Sequence, residues 1–278
     1  MNAILASANW LLPLLYLVLL IDYGTTFFLR TKAYARNPLL IGVLAFHVAF
    51  LVLRSIDLAR PPLANGCEIL SVLAFSTAAV YGALELAVRD RRAGVFIFLL
   101  VFIFQYTSSV FIGRAAEPAM QSAWARLHAV PAIISYTAFA VSAIYATLYL
   151  LAHRSLKRHS VGVLFDRLPP FDLLGRMSWY SLLAGFVFMT VSIATGPILL
   201  KHLEALGPVH AGDPRIAVKI AIGSIAWLTY GTAVAGRLLG KWSDRRVSWI
   251  VVAGFVATIA MIAASAVMSQ AVPAGNVP

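Results

Sequence analysis

Eight stretches of this chain, residues 9–29, 38–54, 67–88, 93–113, 129–152, 178–200, 217–238 and 248–268, are almost continuously apolar. A helix rising 1.5 Å per residue needs about 20 such residues, within a range of about 17–25, to cross the ~30 Å hydrocarbon core of a bilayer. Inside that core every backbone N–H and C=O must be satisfied internally, which leaves helices and closed barrels. Barrel strands alternate apolar and polar over about 10 residues, and these runs do not alternate. The expected fold is therefore all-α, a polytopic membrane protein built as a bundle of eight transmembrane helices, with residues 1–278 forming a single transmembrane domain. Composition agrees: 61% of residues are hydrophobic and only 12% charged, against roughly 25% charged in soluble domains. Residues 1–21 have no positively charged n-region and no small-residue cleavage site, so the first span is expected to stay in the mature protein.

A net charge of +11 raises nucleic acid as a partner, and the placement of the charge excludes it. The odd-numbered connections between spans carry fifteen Lys and Arg residues and the even-numbered ones six. By the positive-inside rule the odd connections face the cytoplasm. In an inner (cytoplasmic) membrane both termini and the even connections then face outward, to the periplasm. The basicity is a topology signal, with attraction to anionic headgroups. Cys67 is the only cysteine, which excludes an intramolecular disulfide and a C-x-x-C pair. No G-x-x-x-x-G-K-[ST], G-x-S-x-G or H-E-x-x-H occurs, so no hydrolase or NTPase of those kinds is indicated and a non-enzymatic role is expected. In the long fifth connection, Leu164, Phe165, Phe171 and Leu173 around Pro169 and Pro170 suggest a short interfacial segment.

Ionisable residues within spans default to functional candidates. His47 lies seven residues, ~10 Å, below Arg54 on one helix face. The imidazole could ligate haem iron and the guanidinium could pair with a carboxylate such as a propionate; equally, His47 could bond a neighbouring helix and Arg54 snorkel to headgroups. His128 sits at the mouth of the fifth span. Pro131 suits a first helical turn, so the helix is expected to begin near His128, which is either an accessible ligand or an interfacial histidine beside Trp124 and Arg126. Gln105 opens the polar run "QYTSS" in the fourth span. Glu68, three residues after Asn65, could cap its helix or line an outer pocket. His202 and His210 are expected in the sixth connection, as solvated residues or as further ligands. Asp22 and Glu85 could relay protons or simply pair with the basic connections.

Several segments resemble a known family, the cytochrome c assembly transmembrane proteins of the CcsA, CcmC and HemX type, over nearly the whole chain. "LHAVPAIISYTAFAVSAIYATLYLLAHRSLKR" is similar to the family's Leu-His helix entry, and "RPPLANGCEILSVLAF" to its Pro-Leu-x-Asn-x-x-Glu segment with Pro62, Leu63, Asn65 and Glu68. "KIAIGSIAWLTYGTAVAGRLLGKW" resembles a late helix, with Lys219, Trp227, Tyr230, Arg237 and Trp242 in register, and Gly254 and Phe255 continue the likeness. Haem-handling members carry a W-G-x-x-W-x-W-D loop, whereas "HAGDPRIAVK" holds no tryptophan; Ala235 stands where CcsA proteins have a helix histidine, and no histidine follows His210. His47 resembles a histidine of the HemX-like branch. The resemblance thus implies a HemX-like, haem-binding membrane protein of cytochrome c assembly, with His128 matching an external haem ligand. It also implies haem as cofactor, and the lipid bilayer and other cytochrome-assembly or haem-biosynthesis proteins as partners. His47, His128 and Arg54 are its candidate haem contacts. Asn65, Glu68, Gln105, His210, Lys219 and Trp227 are candidates for an outer pocket. A secondary transporter or ion exporter, or a regulatory scaffold, are the alternative functions.

Overall fold

The computed structural model of the chain describes residues 3–29, 37–63, 65–111, 123–157, 167–205 and 214–271. These form eight helices and no strand: α1 (Ala3–Leu29), α2 (Pro38–Leu58), α3 (Gly66–Val88), α4 (Gly94–Phe111), α5 (Ala123–Lys157), α6 (Phe171–Ala205), α7 (Pro214–Leu238) and α8 (Asp244–Ala271). All eight contain segments long and apolar enough to cross a membrane.

Local sequence explains the helix limits. The Asn37 side chain accepts hydrogen bonds from the Leu39 and Leu40 amides at the start of α2, with Pro38 in the first turn, where its missing N–H leaves no bond unmade. Asn65 caps α3 in the same way, accepting from the Glu68 amide at 2.8 Å. Ala59 (φ 52°) and Arg89 (φ 56°) adopt left-handed conformations just past α2 and α3, which turns the chain out of each helix.

The helices pack as two closed rings of four. α1 contacts α2 and α4, and α3 contacts the same two; α5 contacts α6 and α8, and α7 contacts the same two; α3 against α5 is the main seam between the rings. Among the described residues there are two cores, and the first reaches beyond its ring to Val141, Tyr145 and Leu148 of α5. Tyr16, Tyr23, Phe98 and Val101 are central to the first, and Phe139, Leu182, Tyr230 and Val251 to the second. Because consecutive helices are antiparallel, the helix ends flanking the odd connections gather at one end of the bundle, here called the basic end; the start of α1 and the helix ends flanking the even connections lie at the other, the terminal end. Exposed Trp10, Tyr106 and Trp124 ring the terminal end and exposed Tyr180 and Trp249 the basic end, the belt expected where a protein surface crosses the membrane–water boundary.

α5 and α6 approach most closely. Ser135 Oγ donates to the Gly185 carbonyl at 2.9 Å, and Ser142 and Ser178 donate to each other's carbonyls at 2.8 and 3.2 Å. Small residues permit this approach between membrane helices. At Gly185 it is obligatory, because a Cβ would lie 2.6 Å from the Phe139 ring.

Three expectations need correction. α5 begins at Ala123, so Pro131 lies inside the helix rather than in its first turn; residues 123–130 are mostly good helix formers and continue through a proline that removes only one bond. Phe171 and Leu173 belong to α6, because Pro170 starts a helix as readily as it breaks one, and Phe171 stacks on Tyr149 at 4.3 Å. Leu164 and Phe165 fall outside the described residues. His202 is in the last turn of α6, not in a loop, beside Trp124 at 6.3 Å.

Gly185→Val is expected to destabilise the bundle by about 1–3 kcal/mol through overpacking against Phe139, read as a lowered thermal midpoint in detergent. Gly42→Ala, at a position with nothing within 4 Å, should leave the midpoint unchanged.

Candidate functional site

α1 carries Asn9, Tyr16 and Tyr23 at seven-residue intervals, all buried. Seven residues is close to two turns, so the three lie along one face, and each finds its partner on a different helix. Asn9 Nδ2 donates to the Ser109 carbonyl of α4 at 2.9 Å, the Tyr16 hydroxyl meets His47 Nδ1 of α2 at 2.8 Å, and the Tyr23 hydroxyl donates to Glu85 of α3.

Around His47 these contacts join into one chain. His47 Nε2 lies 3.0 Å from Ser71 Oγ, Ser71 Oγ donates to Gln105 Oε1 at 3.0 Å, Gln105 Nε2 donates to Ser109 Oγ at 3.1 Å, and Ser109 Oγ donates to the Asn9 carbonyl at 2.8 Å. The final carbonyl only accepts, and this sets the direction of every bond before it. Ser109 must donate to it and accept from Gln105; Gln105 must accept from Ser71; Ser71 must accept from His47. His47 is then the Nε2–H tautomer, with its Nδ1 lone pair taken by the Tyr16 hydroxyl. Fully buried, His47 has both ring nitrogens engaged, so a metal could bind it only by displacing Tyr16 or Ser71.

Arg54 is as buried as His47, at 1% exposure. It neither snorkels nor presents a free guanidinium, because Nη2 lies 3.5 Å from Glu68 Oε1. Glu68 also takes both terminal nitrogens of Arg60, at 2.8 and 3.0 Å. Of the two roles open to Glu68, its side chain joins the two arginines while Asn65 supplies the cap. At the basic end Asp22 bonds Arg91 at 2.7 Å and Asn37 at 2.9 Å, and Glu85 lies 3.6 Å from Arg91. These carboxylates stand in ion pairs.

His128 differs. Half-buried in the second turn of α5, its Nδ1 lies 2.9 Å from the Ser192 carbonyl of α6, with Thr195 Oγ1 at 3.4 Å and Gly196 beneath the ring edge. A carbonyl only accepts, so Nδ1 carries the proton and Nε2 holds a lone pair. Among the described residues Nε2 meets no hydrogen-bond partner. A histidine that donates one N–H to a carbonyl and keeps the other nitrogen bare is oriented as metal-ligating histidines are. Of the three candidate haem contacts, His128 alone keeps a ring nitrogen available among the described residues, whereas His47 and Arg54 must first give up existing bonds.

The remaining candidates are scattered. Trp227 Nε1 donates to Thr190 at 2.9 Å and its ring stacks with Phe186, away from the His47 chain. Lys219 is exposed on α7. His210 lies outside the described residues. Tyr16, Ser71 and Asn9 were not singled out from the sequence, although polar residues at seven-residue spacing in an apolar run were the signal available on α1.

Eight apolar helices, polar groups turned inward to satisfy one another and an oriented histidine at the terminal end define a polytopic membrane protein with a candidate metal-ligand site between helices. The family model described as "Cytochrome C assembly protein" matches residues 14–271, and the chain belongs to that family. It is similar to the cytochrome c biogenesis protein CcsA of Heterosigma akashiwo, 24% identical over 231 residues covering 70% of each chain. It is also similar to that of Chlorella vulgaris, 24% over 240 residues and 74% of each. Against that of Parasynechococcus marenigrum it is 28% identical over 160 residues, half of each chain. These relatives bear the CcsA name and give no support to the HemX-like branch in particular.

Glu68→Gln leaves two arginines facing a neutral amide at a buried site. Breaking a buried pair in this way is expected to cost about 3–5 kcal/mol, measured as loss of thermal stability in detergent. Combining Glu68→Gln with Arg54→Met should recover part of that loss.

Proposed function

We propose that this protein binds haem during cytochrome c assembly, without itself catalysing a reaction, from the cytoplasmic membrane with both termini outward. The observation that carries this reading is the orientation of His128, whose Nδ1–H is held by the Ser192 carbonyl at 2.9 Å, leaving Nε2 directed away from that bond for an axial ligand. When bound, haem supplies an iron that takes a nitrogen ligand and a carboxylate edge. Membership of the cytochrome c assembly family supports the choice of haem over another metal group.

His47 and Arg54 serve this function in a different way. With both nitrogens occupied, His47 ties α1, α2 and α3 together, and iron would reach it only by displacing Tyr16 or Ser71. Arg54, bonded to Glu68, would take a propionate only by exchanging one carboxylate for another. Charge placement supports the orientation, since Arg and Lys concentrate in the odd connections as the positive-inside rule requires of cytoplasmic ones. Asn65, Glu68 and Gln105 hold the terminal end of the first ring in shape, and other assembly proteins are the partners this family suggests.

Absorption spectroscopy tests the proposal. The purified protein reconstituted with haem is expected to show a Soret band that is lost or shifted in His128→Ala, restored by added imidazole, and retained in His47→Ala wherever that variant folds. No Soret band after reconstitution, or a band unmoved by His128→Ala, overturns it.

A further inference from the structure

A cleft of about 280 Å³ opens between α4 of the first ring and α5 and α8 of the second, and neither His128 nor His47 lines it. Phe96 of α4, Ile144, Thr147 and Leu151 of α5, and Val252 and Val256 of α8 form its walls. Thr147 spends its hydroxyl on the Ala143 carbonyl of its own helix at 2.8 Å, so even this side chain presents no free polar group. The cleft is apolar throughout and open to the side of the bundle.

Toward the basic end the same helix faces continue beyond the cleft into charged residues. On α8 the residues Arg245, Trp249, Val252 and Val256 are spaced 4, 3 and 4 apart and form one stripe of the helix. Arg245 and Trp249 are exposed. On α5, Arg154 follows Leu151 by three residues and is also exposed. Among the described residues neither Arg154 nor Arg245 forms an ion pair, in contrast to Arg176 with Asp172, Arg237 with Asp244 and Arg92 with Asp90. From Arg245 to Val256 the stripe measures ~16 Å at 1.5 Å per residue, about half the ~30 Å hydrocarbon core. The feature thus has the length of one leaflet, with cations at the boundary, an indole one turn deeper and an apolar slot below.

We infer that this cleft is a binding site for one anionic phospholipid of the leaflet at the basic end, with an acyl chain between α4, α5 and α8 and the headgroup phosphate between Arg154 and Arg245. The charge favours an anionic headgroup over a zwitterionic one, since two cations that form no ion pair among the described residues lie toward the boundary and no carboxylate of the lining opposes them. The lining also selects against haem, because none of the wall residues is a histidine, cysteine or methionine able to ligate iron. Trp249 fills the usual place of an interfacial indole, its ring at headgroup depth. The lipid would brace α8 against α5, the contact that closes the second ring.

Native mass spectrometry of the full chain in detergent, titrated with dioleoyl-phosphatidylglycerol or dioleoyl-phosphatidylcholine, tests the site. One phosphatidylglycerol is expected to bind at least tenfold more tightly than phosphatidylcholine, and Arg154→Gln with Arg245→Gln should remove that preference. Val256→Trp, which fills the slot from an exposed position, should weaken binding of the same lipid. Arg176→Gln, a cation at the same end but on α6, should have no effect, and inorganic phosphate at millimolar concentration should not displace the lipid. Equal affinity for the two lipids overturns the inference, as does an unchanged preference in the double variant or an equal loss in Arg176→Gln. Full displacement by phosphate alone, or an unaltered affinity in Val256→Trp, overturns the part played by the cleft. The measurement needs no haem, so its outcome is independent of the haem-binding proposal.

Discussion

A polar side chain buried in hydrocarbon has no water to fall back on, so each donor and acceptor must be answered by another part of the protein. The first ring of helices is organised by this requirement. His47 has a partner on either side, in α1 and α3, and the bonds beyond it run through α4 and back to α1. Each such bond contributes on average only ~0.6 kcal/mol between membrane helices. Leaving one end unanswered in hydrocarbon costs several times as much, and that asymmetry makes the arrangement specific. Apolar faces would tolerate rotation of α1 about its axis; Asn9, Tyr16 and Tyr23, each committed to a different helix, do not.

The second ring obeys the same rule by other means. Ser135, Ser142 and Ser178 bond to backbone carbonyls across α5 and α6, so the polar groups there hold two backbones close instead of linking four side-chain positions. One result is that His128, at the terminal end of this tight pair, has a backbone carbonyl as its nearest partner, at 2.9 Å, with the hydroxyls of Thr195 and Ser192 farther off at 3.4 and 3.5 Å. A backbone carbonyl does not titrate or rotate, and it fixes the tautomer of His128 more firmly than a serine could. The two histidines therefore have opposite characters: one is closed into a chain, and the other, among the described residues, is held by one nitrogen and open at the second.

Much of the fold was legible because the bilayer imposes a length, and eight apolar runs of that length allow little else. The limits of the runs were less legible. α5 and α6 extend past their apolar centres into segments holding Arg126, Arg154 and Lys201, charged residues that the headgroup region accepts and a hydrocarbon ruler discounts. His47 and Arg54 were visible as polar residues in a span, but whether they were ligands or ties depended on which helices stood beside them. Ser71 and Tyr16, each ordinary in isolation, become decisive only through neighbours 24 and 31 residues away. From sequence Glu68 stands between two roles because its own backbone and side chain serve different ends: Asn65 bonds the one and the arginines take up the other.

The 35-residue length of α5 and of α6 bears on how a ligand could arrive. Each helix is ~52 Å long, some 20 Å more than the hydrocarbon it crosses, and His128 lies only five residues from the start of α5. With the helix centred, the imidazole falls in the headgroup layer, above the apolar slab. An amphiphile moving within that layer would meet it edge-on, keeping its charged groups hydrated throughout. Arrival at His128 then becomes a search in two dimensions over the membrane face, for which no passage through the bundle is required.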